Sequence, residues 1–265
     1  MPIIDITSPA NPRLKLARSL HHRRNRRKHQ QILLEGERLI ADSLSAGMPP
    51  ALFFFTPEAE ARYPELLAQV EQTGAPMLRI PAHLFTQIAD TATPQGVLAV
   101  SPIPQIEPGR QGLALILDGV RDPGNLGAIL RTAAAADVDQ VIILPGVTDP
   151  WSPKALRAGM GAHFRLAIRQ APTARVAQGW VEGYTIYFAD AHASRRYTQV
   201  DWTPASALIL GGETERARII DLWPHIQPIA IPMARGVESL NVAVAGGVIL
   251  YEAVRQRTQP RPSPS

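Results

Sequence analysis

The spacing of hydrophobic residues changes repeatedly along the chain, and each change predicts the start of a new strand or helix. Short apolar runs precede Gly36 and recur at 51–56 and 96–101, and such runs are typical of buried strands. The stretches between them carry apolar residues at every third or fourth position, which predicts helices, the first of them stopping at Gly47. Strands that alternate with helices predict an α/β unit of about a hundred residues.

A segment rich in proline and glycine, SPIPQIEPGRQG, then has the composition of an interdomain linker. A second set of strands alternating with helices follows, and its apolar strands predict a mostly parallel sheet. Ser152 is the predicted N-cap of one of these helices. The Pro/Ser-rich end predicts a disordered tail. The predicted strands of this second unit are LALILD, VIILPG, HFRLAI, YTIYFAD, ALILGG and PIAI.

The most informative stretch runs from Ile231 to Arg257 and consists of a polar loop followed by a small-and-apolar helix. Ser239 or Asn241 is the predicted N-cap of that helix, since either side chain can accept from its open backbone donors. A cap needs one polar residue, whereas the loop carries Arg235, Glu238, Ser239 and Asn241 together. We interpret it as a ligand loop; the alternative is a loop that merely starts a buried helix.

Composition narrows the class of protein. The chain has 265 residues, 45% of them hydrophobic and 19% charged, enough for two domains with sizeable cores. It contains no cysteine, which excludes disulfides and thiolate metal sites and is compatible with a cytoplasmic protein. The histidines show no paired metal spacing, so no metal is expected. No apolar run approaches the roughly 20 residues of a membrane span, so no membrane association is expected.

Positive charge is concentrated near the N-terminus. Eight Lys or Arg residues lie between Arg13 and Lys28 with no carboxylate among them, in a pattern that predicts a helix running into a basic loop. A solvated surface is the simpler interpretation, but RNA is the natural counter-charge for so dense a segment. The predicted RNA-binding residues are Arg13, Lys15, Arg23, Arg24, Arg26, Arg27 and Lys28.

Three polar loops follow predicted strands: DGVRDPGN, with Arg131 beyond it, GGETERAR (211–218) and Arg235–Asn241. Ligands of open α/β sheets bind at the carboxyl ends of strands, so these loops are expected to converge. Alternatives stay open for single residues, because Glu213 could simply be a carboxylate at a helix start and Arg131 a surface arginine.

These loops, in this order, resemble the three signature motifs of the SpoU/TrmH family of RNA ribose 2′-O-methyltransferases, within the SPOUT superfamily. The resemblance is carried by LDGVRDPGNLGAILRTAAAADVDQVIILPG, LILGGETE and IPMARGVESLNVAVAGGVILYEA, over about 112–257. The N-terminal SPANPRLKLARSL and LLEGERLIADSL, with TPQGVLAV, resemble the L30e-like substrate-binding domain of ribosomal-RNA members.

The resemblance implies a SPOUT domain with a trefoil knot and a smaller L30e-like α/β domain, in a homodimer whose active sites lie near the subunit interface. The implied division is 1–103 for RNA binding, 104–111 for the linker, 112–257 for catalysis and 258–265 for the tail. It implies S-adenosylmethionine as cofactor and RNA, most simply ribosomal RNA, as substrate. The implied cofactor-binding residues are Gly211, Gly212, Ile231, Met233, Ser239 and Leu240. The implied catalytic residues are Asn125, Arg131, Glu213, Ser239 and Asn241.

One departure concerns the second motif, where Thr214 and Arg216 replace glycines that usually follow its glutamate. Without those glycines the backbone approaches a cofactor less easily. The alternative is therefore a non-catalytic RNA-binding or ribosome-assembly protein on the same fold. Transfer RNA is the alternative substrate, because only the likeness of the N-terminal domain favours ribosomal RNA. The family's usual candidate base is the arginine of the first motif, Arg131, but a guanidinium keeps its proton far above neutral pH. We therefore assign it to orienting the ribose and phosphate, with a base role left open.

Overall fold

The computed structural model describes residues 3–211, 223, 225–235 and 237–258. Two compact units are present: Met1–Gln105 with Asp149–Arg165, and Ile106–Thr148 with Leu166–Ser265. Asp149–Arg165 thus groups with the first unit, and the boundary between Gln105 and Ile106 falls within the predicted linker, 104–111. The predicted division into an RNA-binding domain and a catalytic domain, 112–257, stays a prediction.

The strands are β1 Ile4–Asp5, β2 Gln31–Glu35, β3 Leu52–Phe55, β4 Met77–Arg79, β5 Val97–Pro102, β6 Leu113–Asp118, β7 Gln140–Ile143, β8 Ala167–Gln170, β9 Thr185–Ala189, β10 Ser206–Gly211 and β11 Gln227–Ile229. The helices are α1 Pro12–Ser19, α2 Arg23–His29, α3 Glu37–Ser45, α4 Pro57–Arg62, α5 Pro64–Gln72, α6 Ala82–Phe85, α7 Pro123–Ala135, α8 Pro153–Gly159, α9 Ala174–Gly179 and α10 Val242–Thr258. Two of the predicted elements differ in the structure. HFRLAI, predicted as a strand, begins with a short 3-10 turn, and the helix expected over PAHLFTQIAD is confined to four residues.

The first unit is built on a mixed five-stranded sheet in the order β1-β4-β3-β5-β2. β1, β4 and β3 run parallel, whereas β5 is antiparallel to both β3 and β2. Phe53, Phe54 and Phe55 are fully buried on consecutive positions of β3, so this strand is covered on both faces. The predicted α/β character of the unit is confirmed.

The basic segment forms two helices, α1 and α2, where a helix and a loop were predicted. Arg26 was predicted to contact RNA, but its side chain is buried, with 4% of its surface exposed. Its Nε donates to Asp149 Oδ2 at 3.0 Å, and its Nη1 donates to the carbonyls of Leu20 at 2.6 Å and His21 at 2.8 Å. We correct that prediction: Arg26 is a buried structural cation whose donors already have protein acceptors.

The remaining residues of the predicted RNA-binding set keep accessible side chains. Arg13 is half-buried, and the exposed members are Lys15, Arg23, Arg24, Arg27 and Lys28. The basic surface of α1 and α2 is therefore available to a polyanion without Arg26.

The second unit contains a six-stranded sheet in the order β11-β9-β10-β6-β7-β8, and every pairing in it is parallel. All six residues of β6 are buried, as its continuous apolar run predicts. From β6 the chain moves outwards to β8 and then returns to the other side of β6. Such a reversal opens a crevice at the carboxyl ends of the strands, so this topology selects the edge where ligands bind.

Helix α10 packs closely against β10 and α7 through two adjacent glycines. A Cβ added to Gly246 would lie 2.6 Å from Leu210 Cδ1, whereas one added to Gly247 would lie 3.6 Å from Thr132 Cγ2. At the far end of the helix, Arg257 donates to backbone carbonyls at the start of the sheet, including that of Trp202 at 2.7 Å and that of Pro204 at 2.8 Å. Burial lowers the pKa of Arg257 from its usual value. Both ends of α10 are thus tied to the sheet.

The trefoil knot stays a prediction. The path of the chain between β10 and β11 includes 212–222, which lie outside the described residues. The parallel sheet and its strand order are the part of the expected fold that the structure confirms.

The two glycines of α10 provide a matched test of this packing. Gly246→Ala should lower the free energy of unfolding by about 1–3 kcal/mol, because the new methyl overlaps the buried side chain of Leu210. Gly247→Ala should leave it unchanged or raise it by roughly 0.5–1 kcal/mol, since it relieves the entropy cost of glycine in a helix without a clash. Chemical denaturation of both variants measures the difference. Equal stabilities would show that α10 does not depend on close contact at Gly246.

Candidate functional site

A cavity of about 350 Å³ lies at the carboxyl ends of β9, β10 and β11. Its size is within the usual range for small-molecule sites. Its walls come from the three strand ends, the loop before α10 and the inner face of that helix. The lining residues are Phe188, Ala189, Asp190, Ala191, His192, Leu210, Gly211, Ile229, Ile231, Met233, Ser239, Leu240, Val242, Ala245 and Ile249.

One side of the cavity is apolar because of the spacing of residues on α10. Val242, Ala245 and Ile249 recur at intervals of three and four, so they share the face that points to the sheet. Leu210 and Ile229, from the ends of β10 and β11, complete this wall. An apolar wall beside strand-end backbone groups can hold a flat heterocycle, while the backbone N–H and C=O groups form hydrogen bonds with its polar edge.

The loop before α10 is joined to the first turn of α7 by two asparagines. Asn241 Oδ1 accepts from the backbone N–H of Ala243 at 2.9 Å, which satisfies an open donor at the start of α10. Its Nδ2 donates to Asn125 Oδ1 at 3.0 Å. The backbone N–H of Asn125 in turn donates to Asp122 Oδ1 at 2.8 Å, the cap of α7. Of the two predicted caps, Asn241 is the one used, and it links two of the three predicted loops.

This arrangement of a parallel sheet, a strand-end cavity and two linked polar loops has a counterpart among known families. Residues 112–251, more than half of the chain, match the SpoU rRNA methylase family. The chain belongs to the SpoU rRNA methylase family. Residues 11–99 separately match the MRM3-like substrate-binding domain.

Relatives of this SpoU chain include proteins named for action on ribosomal RNA. The mitochondrial rRNA methyltransferase 3 of Homo sapiens is 32% identical, over 87% of this chain and 69% of that protein. The 23S rRNA (guanosine(2553)-2′-O)-methyltransferase RlmP of Bacillus subtilis is 30% identical, over 93% of this chain and 97% of that protein. Among solved structures, the S-adenosylmethionine-bound rRNA methyltransferase of Sinorhizobium meliloti has a TM-score of 0.80 and 28% identity, over 97% of this chain and 99% of that one.

Most of the predicted cofactor-binding residues lie together in the cavity. The five that line it are Gly211, Ile231, Met233, Ser239 and Leu240. Gly212 and the predicted catalytic Glu213 lie outside the described residues, as do Thr214 and Arg216. The structure therefore brings residues of the third motif and the described part of the second motif to one place.

The two predicted catalytic residues of the first motif lie in different surroundings. Asn125 reaches the loop of the third motif through Asn241. Arg131 lies further along α7, is exposed, and does not line the cavity. Five of the residues predicted to bind the cofactor thus line the cavity, and Arg131 lies outside it.

Two lining residues that the sequence analysis did not select follow β9. Asp190 is buried and His192 is exposed. A signal for Asp190 was present, because this carboxylate directly follows an apolar strand, as Glu213 nearly does after β10. The missing information was that β9 lies between β10 and β11, which places its end beside theirs.

Within 3–211, 223, 225–235 and 237–258, no group of three or more metal-ligating side chains is gathered. Over those same residues, none of the helices is both long and apolar enough to span a bilayer.

Proposed function

We propose that this chain transfers a methyl group from S-adenosylmethionine to a ribose 2′-hydroxyl of ribosomal RNA. The observation that carries the proposal is the cavity at the ends of β9, β10 and β11, which collects residues from two of the three signature motifs. The family match and the names of the relatives support the reaction and the ribosomal substrate. A relative bound to S-adenosylmethionine, superposing over nearly the whole chain, supports the cofactor.

The cavity has the features that this cofactor requires. Its apolar wall, formed by α10, Leu210 and Ile229, suits an adenine ring. Gly211, at the end of β10, offers backbone without a side chain between it and the ligand. We assign cofactor binding to the lining residues Gly211, Ile231, Met233, Ser239 and Leu240, and to Gly212 beside them.

S-adenosylmethionine supplies a methyl group activated by a positively charged sulfur. The chain must then place a ribose oxygen in line with that methyl group, and such alignment can lower the activation free energy by about 7–11 kcal/mol. The new oxygen–methyl bond would replace the sulfur–methyl bond, so S-adenosylhomocysteine would leave, and the hydroxyl proton would pass to a base or to a phosphate oxygen of the RNA. We assign Arg131 to orienting the target phosphate and ribose, because a guanidinium donates hydrogen bonds without giving up its proton. Glu213 and Ser239 would position Arg131 and the nucleotide by charge-assisted hydrogen bonds. Asn125 and Asn241 would hold the two loops in register.

We propose that the first unit binds the RNA backbone through the basic face of α1 and α2. Lys15, Arg24 and Lys28 are exposed there, and the carboxylate-free sequence around them concentrates positive charge. The match of 11–99 to a substrate-binding domain supports the same role. Contacts of this kind neutralise phosphates and give affinity with little sequence preference.

We further propose that the active protein is a homodimer. Val244 and Tyr251 of α10 are 52% and 51% exposed, and their spacing of seven residues places them on one face of the helix. In the preceding loop, Leu240 is 36% exposed and Val237 is 50% exposed. We call these four residues the apolar stripe and take it as the interface, since exposed apolar surface of this kind marks sites of association. Because Leu240 also lines the cavity, such an interface would adjoin the cofactor site.

Arg131→Ala tests the catalytic assignment. The substrate is ribosomal RNA purified from cells that lack the gene. The rate of methyl transfer by the variant should be roughly 100- to 1,000-fold below that of the wild-type protein, as is typical when an enzyme loses one hydrogen-bond donor to the transition state. Affinity for S-adenosylmethionine should stay unchanged, because Arg131 does not line the cavity. Arg175→Ala, at an exposed position of α9, is the control. Tritium transfer from labelled cofactor measures activity, with transfer RNA as the competing substrate. Undiminished turnover in Arg131→Ala would contradict the assignment, and wild-type protein that binds cofactor without methylating any RNA would favour the non-catalytic alternative.

Replacement of Lys15, Arg24 and Lys28 by alanine tests the RNA-binding face. The affinity for ribosomal RNA should fall, and the slope of log K against log salt should become shallower by roughly 2–3, since each lost phosphate contact contributes about 0.7–0.9. Filter binding across a salt series measures both quantities. A slope equal to that of the wild-type protein would show that RNA binds elsewhere.

Val244→Glu combined with Tyr251→Glu tests the dimer. Two charges on the apolar stripe should convert a dimer into a folded monomer, because their desolvation at an interface is costly. Sedimentation velocity measures the mass. Val176→Glu, at a single exposed apolar position of α9 that is 39% exposed, should leave the mass unchanged. A wild-type monomer, or a double variant that remains dimeric, would contradict this proposal.

A further inference from the structure

The first unit has a pocket of its own, at the carboxyl end of β2, which we call the first-unit pocket. Its volume is about 210 Å³, and all of its lining residues belong to the first unit. Sites for whole small molecules begin at roughly 300 Å³, so this pocket suits one part of a larger ligand. Its polar lining residues are Glu35, Arg38, Asp42, Gln95 and Arg157.

Two of these polar side chains already have partners in the protein. Glu35 is 8% exposed, and its carboxylate accepts from the backbone N–H of Asp90 at 2.8 Å and from that of Thr91 at 3.3 Å. Nη2 of Arg157 donates to Oδ2 of Asp90 at 2.7 Å, and its Nη1 lies 3.8 Å from Oε2 of Glu35. These groups form a connected network, so their charges are balanced within the protein.

Arg38 and Asp42 differ from that pair because their side chains are open. They lie four residues apart on α3, a spacing at which opposite charges on a helix can pair. Over the part of the chain that the structure describes, neither side chain has a hydrogen bond or an ion pair. Arg38 is exposed and Asp42 is half-buried. The first-unit pocket is therefore lined by a cationic donor and an anionic acceptor that are both available to a ligand.

A third open group is held in place at the start of α3. Oε1 of Gln95 accepts from the backbone N–H of Glu37 at 2.9 Å. Gly36 makes room for this bond, because a Cβ added there would lie 3.1 Å from Oε1, and its φ of +97° also favours glycine. With the oxygen fixed, Nε2 of the amide can donate to a ligand, since it has no acceptor among the described residues.

The three open groups together select the ligand. A carboxylate accepts two hydrogen bonds side by side, whereas guanidinium and amide nitrogens donate, so a simple ion cannot match the set. Guanine carries two neighbouring donors, N1–H and the N2 amine, on the same ring as the acceptors O6 and N7. Adenine and cytosine have one amine each, and uracil has one N–H. Guanine is therefore the RNA base that offers a carboxylate two donors and still presents acceptors to an arginine.

The position of the first-unit pocket suits an RNA ligand. Between α1 and α2, Nε2 of His21 lies 2.9 Å from the carbonyl oxygen of Ile88, within hydrogen-bonding distance. Two residues further on, Asp90 pairs with Arg157 of the pocket wall. The basic helices and the pocket are thus connected within the first unit. Phosphate contacts give affinity without sequence preference, and a base bound in the pocket would add that preference.

We propose that the first unit binds one unpaired guanine of its RNA in the first-unit pocket. The carboxylate of Asp42 accepts from N1–H and the N2 amine, while Arg38 and Gln95 donate to O6 and N7. The base must be unpaired, because its Watson–Crick edge is used by the protein. This inference rests on the proposed function, because it takes RNA as the substrate. It adds a base-specific contact to a surface that otherwise recognises phosphates.

Binding of short RNA oligonucleotides to the full chain tests the inference. The probes are uridine octamers that carry guanosine, adenosine, cytidine or inosine at one central position, and fluorescence anisotropy measures their affinities. The wild-type protein should bind the guanosine probe roughly 10- to 100-fold more tightly than all-uridine RNA, the range for one good bidentate contact. Inosine lacks the N2 amine, so its probe should bind more weakly than the guanosine probe.

Arg38→Ala and Asp42→Ala should each lower the preference for guanosine roughly 10-fold or more, because each removes one side of the recognition. In Asp42→Ala the guanosine and inosine probes should bind equally, since the contact to the N2 amine is gone. Binding of all-uridine RNA should persist in both variants, which separates loss of base recognition from loss of folding. Arg62→Ala and Glu65→Ala remove the same charges from exposed positions of the first unit outside this pocket, and both should keep the preference.

Failure of this inference is distinguishable from failure of the proposed function. A wild-type protein that binds the guanosine and all-uridine probes equally would overturn the inference, as would a preference for adenosine or cytidine. A guanosine preference retained in both pocket variants would also overturn it, because guanine would then bind elsewhere. Methyl transfer to ribosomal RNA, measured beside these assays, decides the proposed function separately: transfer without any guanosine preference would contradict only the inference, and guanosine preference without transfer would contradict only the proposed function.

Discussion

The close packing of α10 on the parallel sheet is the constraint on which the candidate site depends. Gly246 allows the helix to lie close to Leu210, because a Cβ at this position would come within 2.6 Å of Leu210 Cδ1. Asn241 bonds the start of the helix to Asn125, and Arg257 bonds its end to the carbonyl of Trp202, shortly before β10. Because α10 provides one wall of the cavity and the strand ends provide the other, the width of the site depends on these contacts together.

The cavity combines an apolar wall with polar groups at the strand ends. Val242, Ala245 and Ile249 present hydrocarbon from α10, whereas Asp190 lines the cavity from the turn directly after β9. Apolar contact contributes affinity in proportion to the area buried and discriminates little. Polar contacts contribute discrimination, because a ligand that lacks the matching group forfeits a hydrogen bond.

A dense run of basic residues in the sequence does not show which of their side chains can contact a ligand. Arg26 lies within the basic segment of the chain, yet its guanidinium is buried against Asp149 and two carbonyls. Its neighbours Arg24 and Lys28 are exposed on the same helix. The helix turns successive side chains to different faces, so a run of like charges is divided between the interior and the solvent. A buried pair of this kind is retained only where its desolvation is offset by satisfied hydrogen bonds.

The sequence by itself determined most of the elements and the family: the apolar run of β6, a cap at Ser239 or Asn241, and the three polar loops were all recognisable as local patterns, and the structure selected Asn241 as the cap. These features depend on residues close together in the chain, where period and capping chemistry act. Tertiary structure alone decided that Asp190 joins the cavity, that Arg131 does not line it, and that Arg26 is buried. Those outcomes depend on strand order and on a partner, Asp149, that is 123 residues away. No local period encodes contacts at such separations, because they are fixed only when the sheet has assembled.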